Sequence, residues 1–79
     1  MRSELENRGV GFDQALAHLK EGRGGIRLPR WSPEVHVYLH RPALGEPMTH
    51  PYLAVESRFG LVPWIPTQVE LLSDDWLLC

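Results

Sequence analysis

Three short stretches of the sequence carry side chains suited to binding a small ligand that combines a flat base, a sugar and a phosphate. They are Arg30-Trp31, Thr67-Gln68 and Asp74-Asp75. An indole can stack on a base, a guanidinium can pair with a phosphate, and amide or carboxylate oxygens can accept hydrogen bonds from sugar hydroxyls. The sequence therefore predicts a ligand-binding site assembled from these residues.

Each member of two of these pairs also has a purely structural interpretation. Trp31 could pack over a helix or a neighbouring subunit, and Arg30 could be an ordinary solvated arginine. Asp74 and Asp75 could end a helix and solvate the following turn. Both interpretations stay open for all four residues.

The third pair begins a short helix. Thr67 and Glu70 are spaced as a capping box, in which each side chain accepts a hydrogen bond from the other residue's backbone N–H. This cap accounts for Thr67 and Glu70 without any ligand. The backbone N–H groups at the helix start could still cradle an anion, and the Gln68 amide could read a polar edge.

The other reactive side chains show no catalytic or metal-binding pattern in the sequence. His36 and His40 would share one face of a strand but lie too far apart along it to hold one metal easily. His18 and His50 are isolated, and Cys79 has no sequence-defined base to activate it. We expect no catalytic residues, no metal and no cofactor, and hence a protein that binds rather than an enzyme.

An amphipathic helix is the clearest of the elements that must position these residues. Phe12, Ala15, Leu16 and Leu19 recur at the spacing of one helical face. Gly22 follows where a helix end favours a left-handed residue. The sequence predicts about three helical turns here.

Strand patterns follow this helix. Alternating or β-branched runs predict strands at residues 26–28, 35–39, 52–56, 61–64 and 76–78, with a loop over 41–51, a hairpin turn over 57–60 and a short helix through Leu72. The predicted fold class is α+β, with one N-terminal helix packed on an antiparallel sheet of four or five strands and a short helical turn near the C-terminus. Residues 1–10 are expected to form a flexible extension, and residues 11–79 a single domain.

Size and composition favour self-association. A chain of 79 residues with one cysteine has no internal disulfide to stabilise a small core, while three tryptophans and 43% hydrophobic residues could bury surface between subunits. A net charge of −2 disfavours DNA or RNA as a partner. The sequence has no apolar run of membrane-spanning length and no signal-peptide pattern, so we expect a cytoplasmic protein.

A set of motifs resembles one small family. The motifs are Phe12-x-x-Ala15-Leu16, Lys20-x-Gly22, Trp31 after a basic residue, Pro51-Tyr52-Leu53, and Val62-Pro63-Trp64-Ile65-Pro66-Thr67-Gln68 continuing to Leu71-Leu72 and Asp75-Trp76. In these residues the chain resembles the second-type Thoeris anti-defence family of phages and prophages, over residues 11–78. The closing segment is the most specific part. The chain differs where many members read Trp-Asn-Gly, because Ser32-Pro33 follows Trp31 here.

The resemblance implies a homo-oligomer, tetrameric in characterised members, that acts in the bacterial host cytoplasm. Such proteins sequester a cyclic ADP-ribose derivative made by a TIR-domain enzyme, so that its effector stays inactive. Some members also hold cyclic dinucleotides at separate sites. A sponge for cyclic di- or oligonucleotides, and a protein that blocks a defence enzyme by direct contact, are the alternatives that the sequence leaves open.

Overall fold

Two helices and five strands are described for residues 9–79 by a computed structural model. They are α1 (Phe12–Lys20), β1 (Ile26–Arg27), β2 (His36–His40), β3 (Tyr52–Ser57), β4 (Gly60–Pro63), α2 (Gln68–Leu71) and β5 (Leu77–Leu78). The predicted α+β class is confirmed, and each strand limit differs from the predicted one by at most one residue. Most of the predicted flexible extension, residues 1–8, lies outside the described residues.

Helix α1 forms because its apolar residues share one face and its end is capped. Ala15 and Leu19 are fully or almost fully buried on that face. At the C-terminus the Gly22 N–H donates to the Leu19 carbonyl, and the next N–H donates to the His18 carbonyl. Gly22 has a φ of 75°, which glycine adopts without steric cost. The predicted helix end at Gly22 is therefore confirmed.

The five strands form one antiparallel sheet in the order β4-β3-β2-β1-β5. Its register aligns Ile26, Val37, Val55 and Val62 in a row across four strands. The buried residues Ile26 and Val37 join Ala15 and Leu19 of α1 in the core, and Val55 packs against it. This row therefore lies on the face that α1 covers.

The two edges of the sheet are protected in different ways. The backbone N–H of Trp64 donates to the Leu53 carbonyl of β3. Because successive residues of an antiparallel strand direct their backbone N–H and C=O groups alternately toward and away from the partner, the backbone of Pro63 faces away from β3. Pro63 has no N–H to offer at that outer edge. At the other edge, β5 has two residues. Both devices limit strand pairing with other chains.

A buried tryptophan precedes the last strand of the chain. Trp76 is fully buried and belongs to the same core as Leu19 and Ile26. Its backbone pairs with Val10 through two hydrogen bonds of 2.9 Å, which join the segment before α1 to the segment before β5. No helix within residues 9–79 is long and apolar enough to cross a bilayer.

Candidate functional site

The connection between β1 and β2 consists of two consecutive β-turns that carry the first pair of predicted site residues. The Trp31 N–H donates to the Leu28 carbonyl over 3.0 Å, and the Val35 N–H donates to the Ser32 carbonyl over 2.9 Å. The second residue of each turn is a proline, whose fixed φ suits that position. The turns hold Trp31 at their junction.

Trp31 lies against an aromatic cluster. Its ring is nearly perpendicular to those of Trp76 and Trp64, with centroid distances of 5.4 and 6.3 Å. Phe12 of α1 contacts Trp64 and Trp76 from the helix side. Trp31 itself is only partly buried. The indole thus combines a packed part with an accessible part, so it contributes to the core periphery and can also offer surface to a ligand.

Arg30 reaches from the turn to the segment between α2 and β5. Its guanidinium donates to the Ser73 hydroxyl over 3.2 Å and lies 3.5 Å from the Asp75 carboxylate. About half of each charged side chain is exposed, so the ion pair is worth little and can open at small cost. We call Arg30, Trp31, Ser73 and Asp75 the arginine–tryptophan corner.

The two adjacent aspartates have different surroundings. Asp75 faces Arg30, whereas Asp74 lies beside the N-terminus of α1, where a Cβ added to Gly11 would come within 3.4 Å of its carboxylate. A carboxylate at that position is favoured by the positive end of the helix dipole. Gly9 is required for close approach, because a Cβ there would overlap the Asp75 backbone. Asp75 is the aspartate that belongs to the corner.

The predicted capping box is present at the start of α2. The Glu70 N–H donates to the Thr67 hydroxyl over 3.2 Å, and the Thr67 N–H donates to the Glu70 carboxylate over 2.8 Å. The cap therefore occupies both the N–H and the hydroxyl of Thr67, and a ligand role for Thr67 stays a prediction. Gln68 is exposed, and its ligand role stays a prediction.

The structure brings three of the six predicted site residues together, namely Arg30, Trp31 and Asp75. Ser73 was not among the predicted site residues. It lies between Arg30 and α2, and the Ser73 hydroxyl donates to the Val69 carbonyl over 2.7 Å. Its position directly before the two aspartates was the one available signal. A hydroxyl with both an arginine donor and a carbonyl acceptor is held in a fixed orientation.

The face of the sheet opposite α1 carries a second group of side chains, most of them polar. Tyr38, His40, Glu56 and Leu61 line a shallow depression of about 250 Å³ together with Leu39. Burial and the nearby carboxylate of Glu56 raise the pKa of the Tyr38 phenol. Within residues 9–79, no three histidine, cysteine or acidic side chains are grouped closely enough to hold a metal ion.

Comparison with known proteins identifies the family. The chain matches no curated protein. The sequence model of the Tad2-like family, described as the Thoeris anti-defense 2-like domain, matches residues 10–79. This match includes α1, α2, all five strands and every residue of the arginine–tryptophan corner. The chain belongs to the Tad2-like family of Thoeris anti-defence proteins.

Proposed function

We propose that this protein captures a glyco-cyclic ADP-ribose immune signal made by a TIR-domain enzyme and holds it without cleaving it. It acts as a phage-type anti-defence sponge in the cytoplasm of the bacterial host. Membership of the Thoeris anti-defence family supports the biological setting. The single observation that carries the binding role is that Asp75, distant in sequence, lies 3.5 Å from Arg30, while the neighbouring Trp31 packs against Trp76, the residue after Asp75.

The groups of the corner match the parts of such a ligand. The accessible part of Trp31 offers a surface for adenine, and the Arg30 guanidinium offers donors for the pyrophosphate. A phosphate that binds Arg30 would displace Asp75 from its exposed ion pair. The released carboxylate can then accept hydrogen bonds from ribose hydroxyls. The ligand thus replaces one weak contact with two charge-assisted interactions.

The hydrogen bonds of Ser73 favour capture over cleavage. Its hydroxyl donates to a backbone carbonyl and accepts from Arg30. A serine nucleophile needs a base that takes its proton, and this proton is directed at a carbonyl oxygen instead. This arrangement of the Ser73 hydroxyl supports a corner that binds a ligand rather than one that cleaves it.

Exposed apolar residues support an oligomer, which we propose to be a homotetramer. Seven of the ten large hydrophobic side chains found exposed in the described residues fall between positions 59 and 72: Phe59, Leu61, Val62, Ile65, Val69, Leu71 and Leu72. Val69 and Leu72 are 71% and 78% exposed and lie three residues apart at α2, on one side of the helix. We call these two the α2 ridge. The two side chains of the α2 ridge offer exposed apolar surface of the kind that marks contacts between proteins.

The test is to load the protein with glyco-cyclic ADP-ribose, heat-denature it and chromatograph the supernatant. We expect unchanged signal that still activates its effector, at a ligand-to-protein ratio that saturates. A breakdown product that accumulates with incubation time would replace the sponge with an enzyme. Thermal-shift assays with cyclic ADP-ribose isomers and cyclic dinucleotides then separate the two ligand classes, because a ligand at a hundred times its Kd adds ~2.7 kcal/mol of stability.

The exposed ridge also favours a second candidate, a protein that blocks a defence enzyme by direct contact. Val69 and Leu72 would then bind that enzyme rather than another copy of the chain. A flat thermal-shift panel, together with co-purification of the TIR-domain enzyme and the protein, would favour this alternative.

A further inference from the structure

We infer that Arg27 is a positioning residue that holds Trp31 and Arg30 in their binding conformation. This inference rests on the proposed function. The Arg27 Nη2 donates to the Trp31 carbonyl over 2.6 Å, across four residues of chain. The Trp31 N–H is already bound to the Leu28 carbonyl. Both backbone polar groups of Trp31 are therefore fixed, one by the turn and one by Arg27.

The position of Arg27 explains why its contact can serve the loop. Arg27 lies between the buried residues Ile26 and Leu28, and the register pairs it with Leu77 of β5. Its backbone is thus part of the sheet, while its guanidinium reaches the junction of the two turns. A rigid strand residue holds a loop residue through one short, charge-assisted hydrogen bond.

A second observation distinguishes Arg27 from an arginine that only stabilises the fold. Its Nε is buried and has no hydrogen-bond partner among residues 9–79. An enclosed donor without an acceptor costs free energy. Among residues 9–79, the Trp31 carbonyl is the hydrogen-bond acceptor of this guanidinium, so this contact is the benefit that we assign to Arg27. Removing the whole guanidinium removes the cost and the contact together, and should leave global stability nearly unchanged.

The expected effect is a loss of pre-organisation. Without Arg27, the loop samples conformations in which Trp31 and Arg30 no longer face the same ligand. If the binding conformation is populated about a tenth of the time, the apparent Kd rises about tenfold. Lysine keeps one charged donor and should recover part of the affinity, whereas methionine keeps only the apolar stem.

The experiment compares Arg27→Met, Arg27→Lys and the control Arg58→Met in full-length protein labelled with 5-fluorotryptophan. Arg58 is exposed at the β3–β4 turn, over the Phe59 ring, so its replacement removes the same charge elsewhere. Three ¹⁹F resonances report Trp31, Trp64 and Trp76, assigned through single Trp→Phe variants. Calorimetry with glyco-cyclic ADP-ribose gives the affinity.

We expect Arg27→Met to shift or broaden the Trp31 resonance in ligand-free protein, to leave the Trp76 resonance in place and to weaken binding about tenfold. Arg27→Lys should lie between, and Arg58→Met should match the wild type. Weaker binding with an unchanged Trp31 resonance would overturn the inference, because Arg27 would then contact the ligand itself. If the wild type binds no glyco-cyclic ADP-ribose, the proposed function fails, and the ligand-free spectra alone decide whether Arg27 holds Trp31.

Discussion

The indole Nε1 of Trp76 donates a hydrogen bond to the carbonyl oxygen of Glu70 over 3.0 Å. The bond connects a fully buried core residue to the last turn of α2. It also satisfies the one polar atom that a tryptophan brings into a core. The position of α2, and with it Ser73, therefore depends on Trp76.

Trp76→Ala should cost about 3–5 kcal/mol of unfolding free energy, because it empties a fully buried site. Trp64→Ala should also destabilise the protein, but by less, because Trp64 is only partly buried. Urea denaturation followed by circular dichroism measures both. Equal losses for the two variants would contradict the assignment of Trp76 as the central residue.

Trp31→Ala should weaken ligand capture while leaving the fold largely intact. Loss of stacking on one base costs about 1–3 kcal/mol, roughly a 5- to 150-fold rise in Kd. Calorimetry with glyco-cyclic ADP-ribose measures the change, and Trp31→Phe is the matched control that keeps an aromatic ring. An unfolded Trp31→Ala protein would instead assign the indole to the core.

Local signals in the sequence predicted the elements well. Gly22 marked the end of α1, and Thr67 with Glu70 marked the start of α2, because helix caps depend on residues close in sequence. Residues 29–34 lie between two predicted strands, and the sequence predicted a loop there without its two turns. Their hydrogen bonds could have been inferred from the two prolines, each at the second position of a four-residue turn and two residues before the residue whose N–H closes it.

Contacts between distant residues were beyond the sequence. Asp75 belongs to the motif shared with the family and Asp74 does not, which favoured Asp75 as a site residue. Nothing in the sequence, however, indicated that Asp74 lies at the start of α1 and that Asp75 faces Arg30. Their separation follows from the pairing of Val10 with Trp76, which fixes how this segment runs past the helix. Such pairing depends on the whole fold, so the sequence could favour Asp75 but could not place the two carboxylates.

Val69→Glu combined with Leu72→Glu should dissociate the homotetramer that we propose, because two charges would be buried in an apolar contact. Light scattering at micromolar concentration should change from several protomers per particle to one. Leu44→Glu is the matched control: Leu44 is fully exposed in the loop between β2 and β3, far along the chain from the α2 ridge. Dissociation by the control alone would place the interface on that loop.

The loop between β2 and β3 should respond to acid through Glu46. His40 donates to the Glu46 carboxylate over 2.9 Å, the Ala43 N–H donates over 3.0 Å, and these bonds lower the Glu46 pKa. Because the pKa of Glu46 is lowered in the folded protein, its carboxylate contributes fully to stability above the ordinary glutamate pKa of about 4.3. This contribution is lost as the pH falls through the lowered pKa.

Carbon-detected NMR titration of the Glu46 carboxyl provides the measurement. We expect a midpoint below the ordinary value, and a higher midpoint in His40→Phe. His50→Phe is the control, because His50 contacts Thr49 in the same loop. A midpoint that does not move in His40→Phe would show that the imidazole contributes nothing to the shift.

The proline at the outer edge of β4 has a consequence for abundance. The sponge that we propose would have to accumulate to about the concentration of the signal it removes. At high concentration, exposed edge strands of different copies can pair with one another and form fibres. Pro63 interrupts the row of donors that such pairing would need. For the sponge that we propose, contacts between copies at this edge would then involve side chains rather than backbone hydrogen bonds, which would disfavour fibres at high concentration.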